Sequence, residues 1–406
     1  MHKTFWFQLH WFVGIVFGLT LFIIGVSGAI LSYEKEILQA INKDTYFVNI
    51  PQDKQILSTK EILEKYQTEN PDSKINSISF SSNKSSSVVL NIASKDPKQR
   101  KGESIYLNPY TAEVLPKIEY REFFSFIRSL HRWLAFEGDT RTIGKNIVAI
   151  STIACIILTI GGVIVYWPRV KNNFLRSFTF SFKHKKRAFL STMHSAIGMW
   201  IVPFFLLLCL TGLYWSYDWY RSAMFTVMQV EQPKRAEQLA QKEEDNKEKE
   251  QNKTQNNDKS NLNRQNKIEG ISYENAQKVA DIFNQNVSRD YKNANLRLTP
   301  SKDGFYTISY LYADAKHFRE SNSMEIDPNK SLVLKESKYE DKKLNEQLMS
   351  SMLPLHSGEY FGWIGQLLMF IASSLMALFV ITGYMLYFDR WKKKRAKALK
   401  EKQVIL

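Results

Sequence analysis

The sequence predicts a mainly α-helical membrane protein, in which an internal parallel duplication combines four transmembrane helices with two α+β domains outside the membrane. Three observations lead to this fold class: four long apolar runs, an uneven distribution of basic residues, and histidine–glycine motifs that recur at a constant spacing. Between the runs, residues 34–145 and 218–359 are polar and resemble soluble proteins, which places them outside the lipid.

Four stretches contain no Asp, Glu, Lys or Arg, and each is long enough to cross a membrane as a helix: 11–31, 147–167, 196–217 and 361–388. A helix rises about 1.5 Å per residue, so about 20 apolar residues cross a hydrocarbon core of roughly 30 Å. Lipid offers no partner for backbone N–H and C=O groups, which favours helices over extended chain. The predicted order is a first span at 1–33, an outer domain at 34–142, a second span at 143–167, a basic cytoplasmic loop at 168–195, a third span at 196–217, an outer domain at 218–359, a fourth span at 360–388 and a basic cytoplasmic tail at 389–406.

Basic residues exceed acidic ones by 15, and they concentrate in the loop 168–195 and the tail 389–406. Short loops rich in Lys and Arg stay in the cytoplasm. This predicts that both termini and the loop are cytoplasmic and that the two large polar segments lie outside. A nucleic-acid surface is the other interpretation of such charge, but the clusters adjoin membrane ends, so we expect no nucleic-acid partner.

Two pairs of histidine and glycine motifs recur along the chain. His10 precedes Gly14 by four residues and Gly28 by eighteen, and His194 stands in the same relation to Gly198 and Gly212, at a constant offset in numbering. Further matches are His131 with His356, Gly144 with Gly365, and Gly162 with Gly383. Each repeat therefore runs span, outer domain, histidine, span, and both copies enter the membrane from the same side.

The segment 234–267 separates the third span from the rest of the second outer domain. It is rich in Lys, Glu, Gln and Asn and nearly free of bulky apolar residues. Such a composition buries too little apolar surface to offset the entropy of ordering, so we expect a disordered insertion.

Four of the seven histidines lie at matched positions beside the membrane, where ionisable side chains are functional candidates. His10 and His194 begin outward-going spans and should lie near the cytoplasmic face. His131 and His356 precede inward-going spans and should lie near the outer face. Two metal sites follow, each with two imidazoles. The other three histidines, His2, His184 and His317, lack repeat partners and are expected to be solvated.

Two imidazoles are too few for most metals, because zinc usually takes four protein ligands. The two cysteines, Cys155 and Cys209, each lie within a span and form no CxxC motif. Haem iron already has four nitrogens and needs only axial ligands. Eighteen residues are five helical turns, about 27 Å, so His10 and His194 each share a helix face with two glycines against which a macrocycle fits. For any one of Gly14, Gly28, Gly198 and Gly212, close helix–helix contact is an equal alternative.

Several short motifs resemble the PepSY-associated transmembrane family over nearly the whole chain. They are LHW at 9–11, NP at 108–109, LHRW at 130–133, MHSAIG at 193–198, DP at 327–328 and LHSG at 355–358. The resemblance implies two PepSY-like extracytoplasmic domains in a bacterial inner membrane protein. It also implies two b-type haems per chain, bound by His10, His131, His194 and His356. Relatives in this family include di-haem reductases that act on ferric siderophores.

We therefore expect an oxidoreductase that transfers electrons through haem b to the ferric iron of a siderophore on the periplasmic side of the lipid bilayer. The chain has no GxGxxG loop between a strand and a helix, so a separate electron donor, a quinol or a cytoplasmic reductase, is implied. The alternative is a non-enzymatic transporter or a regulatory or sensor protein. In that case the histidines bind metal ions or protons, and the outer domains bind a protein partner.

Overall fold

The structure is a computed structural model that describes residues 2–94, 102–232 and 272–405. The predicted disordered insertion at 234–267 lies outside the described residues. The described helices are α1 (His2–Leu31), α2 (Glu34–Ile41), α3 (Lys43–Tyr46), α4 (Thr59–Glu69), α5 (Arg121–Trp133), α6 (Arg141–Asn172), α7 (Phe174–Ser177), α8 (Lys186–Leu213), α9 (Asp218–Val227), α10 (Tyr273–Asn286), α11 (Leu344–Ser350), α12 (Met352–Ser357) and α13 (Gly362–Ile405). The described strands are β1 (Ile75–Phe80), β2 (Val88–Ile92), β3 (Glu103–Leu107), β4 (Tyr291–Arg297), β5 (Tyr306–Tyr312), β6 (Asn322–Asp327) and β7 (Leu332–Ser337).

The chain divides into two compact units. We call the first the helical unit; it consists of Met1–Ile41, Ile118–Met224 and Ser350–Leu406. We call the second the sheet unit; it consists of Asn42–Lys117 and Phe225–Met349. All four candidate histidines belong to the helical unit.

Four helices of the helical unit are long and apolar enough to cross a membrane, which confirms the predicted number of spans. α1 packs against α6 and α13, and α8 packs against the same two helices, so the four close into a bundle. Its centre holds a buried cluster that includes Leu21, Cys155 and Phe205. Side chains such as Leu19, 67% exposed, point outward and are suited to lipid.

The spanning helices extend past the predicted membrane segments at their basic ends. α6 continues to Asn172, α8 begins at Lys186, and α13 continues to Ile405, so most of the predicted basic tail is helical. Lys and Arg are good helix formers, and a helix that leaves the lipid keeps its own backbone hydrogen bonds.

Two short helices carry the remaining candidate histidines. α5 packs against α1 and α6, and α12 packs against α8 and α13. Gly144 of α6 lies against the backbone carbonyl of Trp133 at the end of α5, and Gly365 of α13 lies against that of Gly358 just after α12. A Cβ atom at either glycine would collide with the carbonyl, so these two residues let the short helices rest directly on the bundle.

The sheet unit contains one antiparallel sheet in the order β3-β2-β1-β4-β5-β6-β7. The sequence predicted two separate outer domains, but strands from both polar segments lie in this one sheet. β1 and β4 join them, with Ser77 opposite Arg297 and Phe80 opposite Ala294. The pairing satisfies the backbone groups of two strands that would otherwise be exposed edges.

One core serves both polar segments. Leu63 of α4 and Phe283 of α10 are buried in the same cluster as Ile78, Leu296 and Ile308 of the strands. Local signals set the helix starts: Ser58 and Glu61 form a capping box before α4, and Ser272 caps α10.

Candidate functional site

The four matched histidines form two facing pairs. The ring centroids of His10 and His194 are 6.4 Å apart, and those of His131 and His356 are 6.2 Å apart. The first pair joins α1 to α8, and the second joins α5 to α12. The structure thus brings each histidine together with the one that stands in the same position in the other half of the sequence.

The spacing of the rings suits two axial ligands of one metal. An imidazole nitrogen binds a metal at about 2 Å, so two imidazoles on opposite sides of one ion have centroids about 6 Å apart. The ring planes of the two pairs differ by 81° and 60°. An imidazole can rotate about its metal–nitrogen bond, so metal binding does not require a particular angle between the two ring planes.

We call His10 and His194 the inner pair, and His131 and His356 the outer pair. In the inner pair, the Nδ1 atom of each ring makes a hydrogen bond to a neighbouring helix. His10 Nδ1 donates to the carbonyl oxygen of Leu158 on α6 at 3.0 Å. His194 Nδ1 lies 2.8 Å from the Thr382 hydroxyl on α13. That hydroxyl donates its own hydrogen to the carbonyl of Leu378 at 2.7 Å, so it accepts from His194.

The outer pair is held in the same manner. His131 Nδ1 lies 3.0 Å from the Ile24 carbonyl and 3.1 Å from the Ser27 hydroxyl on α1. His356 Nδ1 lies 2.9 Å from the Thr211 hydroxyl on α8. Both hydroxyls donate to a carbonyl four residues earlier, at 2.6 Å, and therefore accept from the imidazoles.

These bonds determine the tautomer of all four rings. A carbonyl oxygen only accepts, so Nδ1 carries the hydrogen and Nε2 of the neutral ring keeps its lone pair. Among the residues that the structure describes, no hydrogen bond reaches Nε2 of these histidines. Metal-binding histidines use this arrangement, in which a bond at one nitrogen orients the other toward the metal.

The outer histidines lie outside the four spanning helices, and their surroundings favour the neutral form. Burial lowers the pKa of His131, and Arg132 lowers it further, although the bond to Ile24 opposes this. Burial and the neighbouring His131 lower the pKa of His356 to about 3, although a backbone hydrogen bond to Leu208 opposes this. Neutral imidazole is the form that binds metals.

The candidate glycines divide into two kinds. A Cβ atom at Gly28 would lie 3.1 Å from Cε1 of His131, and one at Gly212 would lie 3.3 Å from Cε1 of His356. These two glycines thus support the outer imidazoles. Gly14 and Gly198 instead line a cavity beside the inner pair.

This cavity has a volume of about 620 Å³ and is lined by α1, α6, α8 and α13. Both inner histidines reach it, and its walls are mostly apolar, with Leu158, Phe205 and Phe379 among them. Cofactor sites typically enclose roughly 300–1,000 Å³. The volume, the two free Nε2 atoms and the glycine-lined walls fit a haem.

Metals that need only protein ligands fit less well. Within the described ranges, no three His, Cys, Asp or Glu side chains come together in a group that could hold a metal ion. Each pair offers two nitrogens, which is the number that haem iron requires from a protein.

Among the remaining histidines, His317 was expected to be solvated and is instead 4% exposed in the sheet unit. Its Nδ1 accepts from the backbone N–H of Arg319 at 3.2 Å, and its ring lies against Tyr339. The fold buries the His317 side chain although its neighbours Lys316 and Arg319 are exposed, which sequence polarity did not indicate.

Sequence reasoning missed the groups that orient the imidazoles. Ser27 and Thr211 are related by the same offset in numbering as His10 and His194, and each stands directly before a candidate glycine, so the repeat contained a signal for them. Thr382 stands directly before Gly383, but its counterpart before Gly162 is Gly161. The Leu158 carbonyl had no sequence signal, because every residue has a carbonyl.

The chain matches the family model described as the PepSY-associated TM region over residues 7–390. The match covers nearly the whole chain and includes all four paired histidines, so the protein belongs to this family. Among curated proteins, none is similar enough in sequence to match the chain.

Proposed function

We propose that this member of the PepSY-associated TM family transfers electrons across the bacterial cytoplasmic membrane, by means of two b-type haems, to ferric iron in a siderophore on the outer side. One observation carries the proposal: two pairs of facing imidazoles, each with Nδ1 bonded and Nε2 free. The expected orientation, with both termini in the cytoplasm, rests on the basic loop and tail.

Haem b, when bound, supplies an iron that alternates between Fe(III) and Fe(II) by gaining or losing one electron. The protein's own residues hold it and control its surroundings. His10 with His194 would hold one haem iron, and His131 with His356 would hold the other, each through its imidazole nitrogens. The hydroxyl and carbonyl partners of Nδ1 keep the rings oriented, and the apolar walls of the inner cavity exclude water.

The separation of the two pairs along the bundle supports a role for each at one face of the membrane. His10 and Gly28 both lie on α1, five helical turns apart, and Gly28 contacts His131. This is about 27 Å along the helix, nearly the thickness of a hydrocarbon core. A protein that holds one redox centre near each face is suited to carrying electrons across the bilayer.

The proposed substrate class comes from the family resemblance, and the chemistry of iron agrees with it. Siderophores hold Fe(III) through hard oxygen ligands, and these bind Fe(II) far more weakly. One electron per iron, delivered at the outer face, therefore releases the metal. The electron comes from a separate donor, a quinol or a cytoplasmic reductase.

The proposal includes an origin by parallel duplication with PepSY-like outer segments. Ser27 and Thr211 support it, since they are related by the offset of the repeat and make the same bond to His131 and His356.

The test begins with the absorption spectrum of the purified protein, oxidised and reduced, and with the haem content per chain. Chemically reduced protein is then mixed with several ferric siderophores and a ferrous chelator. We expect the haems to reoxidise and Fe(II) to appear. His356→Ala should stop this by removing the outer haem, and His194→Ala should permit only a partial discharge. The control is His184→Ala, which changes an exposed loop histidine.

Two results would contradict the proposal. A protein without haem would leave a transporter or sensor that binds ions or protons as the better function. If the protein contains haem but no ferric complex reoxidises it faster than buffer does, the haem part of the proposal holds and the reductase part is wrong.

A further inference from the structure

The cytoplasmic end of the inner cavity is charged, whereas the walls beside the histidines are apolar. Three cations line the cavity: Arg187, Arg390 and Lys394. On α8, the lining residues Arg187, Ser191, His194 and Gly198 follow at intervals of four, three and four, so they share one helix face.

The same intervals of four, three and four residues recur on α13, where the lining residues are Gly383, Tyr387, Arg390 and Lys394. The tail holds many other basic residues, and Lys392, Lys393, Arg395 and Lys397 are not among the lining residues. Helical register therefore places two of the tail's cations, Arg390 and Lys394, in the cavity wall. General attraction to the membrane surface needs no such placement.

The cations lie some distance along the helices from the level of His10 and His194. Arg187 lies seven residues before His194 on α8, about 10 Å along the helix. Arg390 lies eight residues after Thr382, the partner of His194, which is about 12 Å along α13. A ligand that reaches from the histidines to these cations would match the cavity with a largely apolar body and an anionic end.

Two of these cations have no carboxylate partner. Among the described residues, no ion pair includes Arg390 or Lys394; the Arg390 guanidinium lies 4.6 Å from the ring centre of Phe7. Arg187 Nε is 3.7 Å from Asp389, which also pairs with Lys393 at 3.3 Å. At the outer site, Arg128 is paired with Glu34, and Arg132 lies over the Trp133 ring.

We propose that Arg390 and Lys394, assisted by Arg187, bind the two propionate carboxylates of the inner haem, which then lies with its propionates toward the cytoplasmic end of the cavity. This inference rests on the proposed function. Two unpaired cations match two carboxylates, and the macrocycle matches the apolar walls. Charge-assisted hydrogen bonds of this kind are among the stronger polar contacts in proteins.

The experiment uses the full chain with His131→Ala and His356→Ala, so that only the inner site loads. The haem-free protein is titrated with haem b and with haem b dimethyl ester, in which both carboxylates are blocked. We expect haem b to bind more tightly than the ester by roughly ten- to a hundredfold. The double variant Arg390→Gln with Lys394→Gln should bind both equally. Its inner haem should also have a lower midpoint potential, because positive charge near the iron favours the reduced state.

The matched control removes one Lys and one Arg from the same helix outside the cavity, through Lys392→Gln and Arg395→Gln. It should keep the preference for haem b. Equal binding of the ester to the protein with intact cations, or an equal loss in the control, would overturn the propionate site. A chain that binds no haem when all four histidines are intact would instead overturn the proposed function. To exclude misfolding, the double variant is made with the outer histidines intact, where the outer haem should remain.

An anionic phospholipid has the same chemistry, an apolar body with an anionic head. The titrations are therefore repeated in nanodiscs of zwitterionic lipid alone and with added phosphatidylglycerol. Unchanged haem affinity supports the propionate site. A preference for haem b over its ester that is present in zwitterionic lipid but vanishes when phosphatidylglycerol is added would assign the cations to lipid and overturn the propionate site.

Discussion

The inner and outer histidine pairs reach nearly the same ring spacing, 6.4 and 6.2 Å, by different constructions. The inner histidines, His10 and His194, belong to the spanning helices themselves. The outer histidines, His131 and His356, belong to α5 and α12, short helices that rest on the bundle. The inner geometry therefore depends on how the spanning helices pack, and the outer geometry depends on close glycine contacts.

The two pairs also differ in how many partners hold each imidazole. Each outer ring has a hydroxyl and a backbone carbonyl in reach: Ser27 with Ile24 for His131, and Thr211 with Leu208 for His356. In the inner pair, His10 has the Leu158 carbonyl and His194 has the Thr382 hydroxyl. The comparison teaches that the outer rings have redundant hydrogen-bond partners, whereas among the described residues His194 has the Thr382 hydroxyl as its one hydrogen-bond partner.

The largest expected effect separates the two sites. His10→Ala and His194→Ala should each remove the same inner haem, and His131→Ala and His356→Ala should each remove the same outer haem. Each variant should keep about one haem per chain, since one axial bond is lost at one site only. Haem content and low-temperature absorption spectra check this. Loss of different spectral components by the two inner variants would disprove the pairing.

Added bulk at the supporting glycines should affect the outer site alone. Gly28→Val and Gly212→Val place methyl groups where a Cβ atom is already 3.1 to 3.3 Å from an imidazole carbon. We expect outer-haem affinity to fall by roughly tenfold or more, with the inner haem unchanged. Haem titration measures this, and Leu210→Val on the exposed side of α8 is the control. Equal losses at both sites would show that the whole bundle is disturbed.

Removal of the hydrogen-bond partner that the described residues give His194 should weaken the inner site. Thr382→Val keeps the side-chain shape but loses the hydroxyl that accepts from Nδ1. We expect inner-haem affinity to fall by roughly ten- to a hundredfold and the inner midpoint potential to shift. Thr382→Ser should restore both values. If Thr382→Val leaves affinity and potential unchanged, the Nδ1 bond does not position His194.

The smallest effects are expected where a carbonyl remains. Ser27→Ala leaves His131 bonded to Ile24 at 3.0 Å, and Thr211→Val leaves His356 near Leu208. Each should lower outer-haem affinity by only about threefold, since a second acceptor persists. The same titration checks this. A loss as large as that of Thr382→Val would show that the outer hydroxyls, and not the carbonyls, hold the rings.

Much of the membrane architecture was predictable because it depends on local chain properties. Apolar length alone identified the four spans. The repeat identified His10, His131, His194 and His356, and depth predicted which two stand near each face. The glycines were harder to interpret: Gly28 and Gly212 contact imidazoles directly, while Gly14 and Gly198 line the cavity, and spacing on a helix does not distinguish these contacts.

The sheet unit was less predictable for a related reason. Each polar segment contains its own helix and strands, which is typical of a separate domain. The pairing of β1 with β4 connects residues such as Ser79 and Asn295, which are far apart in sequence. No periodicity within either segment indicates such a pairing, because edge strands offer the same backbone groups to any partner.

By itself, the sequence determined that this chain has four segments long and apolar enough to cross a membrane as helices, and it predicted that four histidines stand at the two faces. Bilayer thickness and helical rise act on consecutive residues, so these properties need no knowledge of the fold. Only the tertiary structure decided which group accepts each Nδ1 hydrogen, that Arg390 and Lys394 line the inner cavity, and that one sheet unites both polar segments. These features arise from contacts between residues that are distant in sequence. Every residue has a carbonyl and every edge strand has free backbone groups, so the sequence does not show which partner each will bind, and only the folded chain brings the two together.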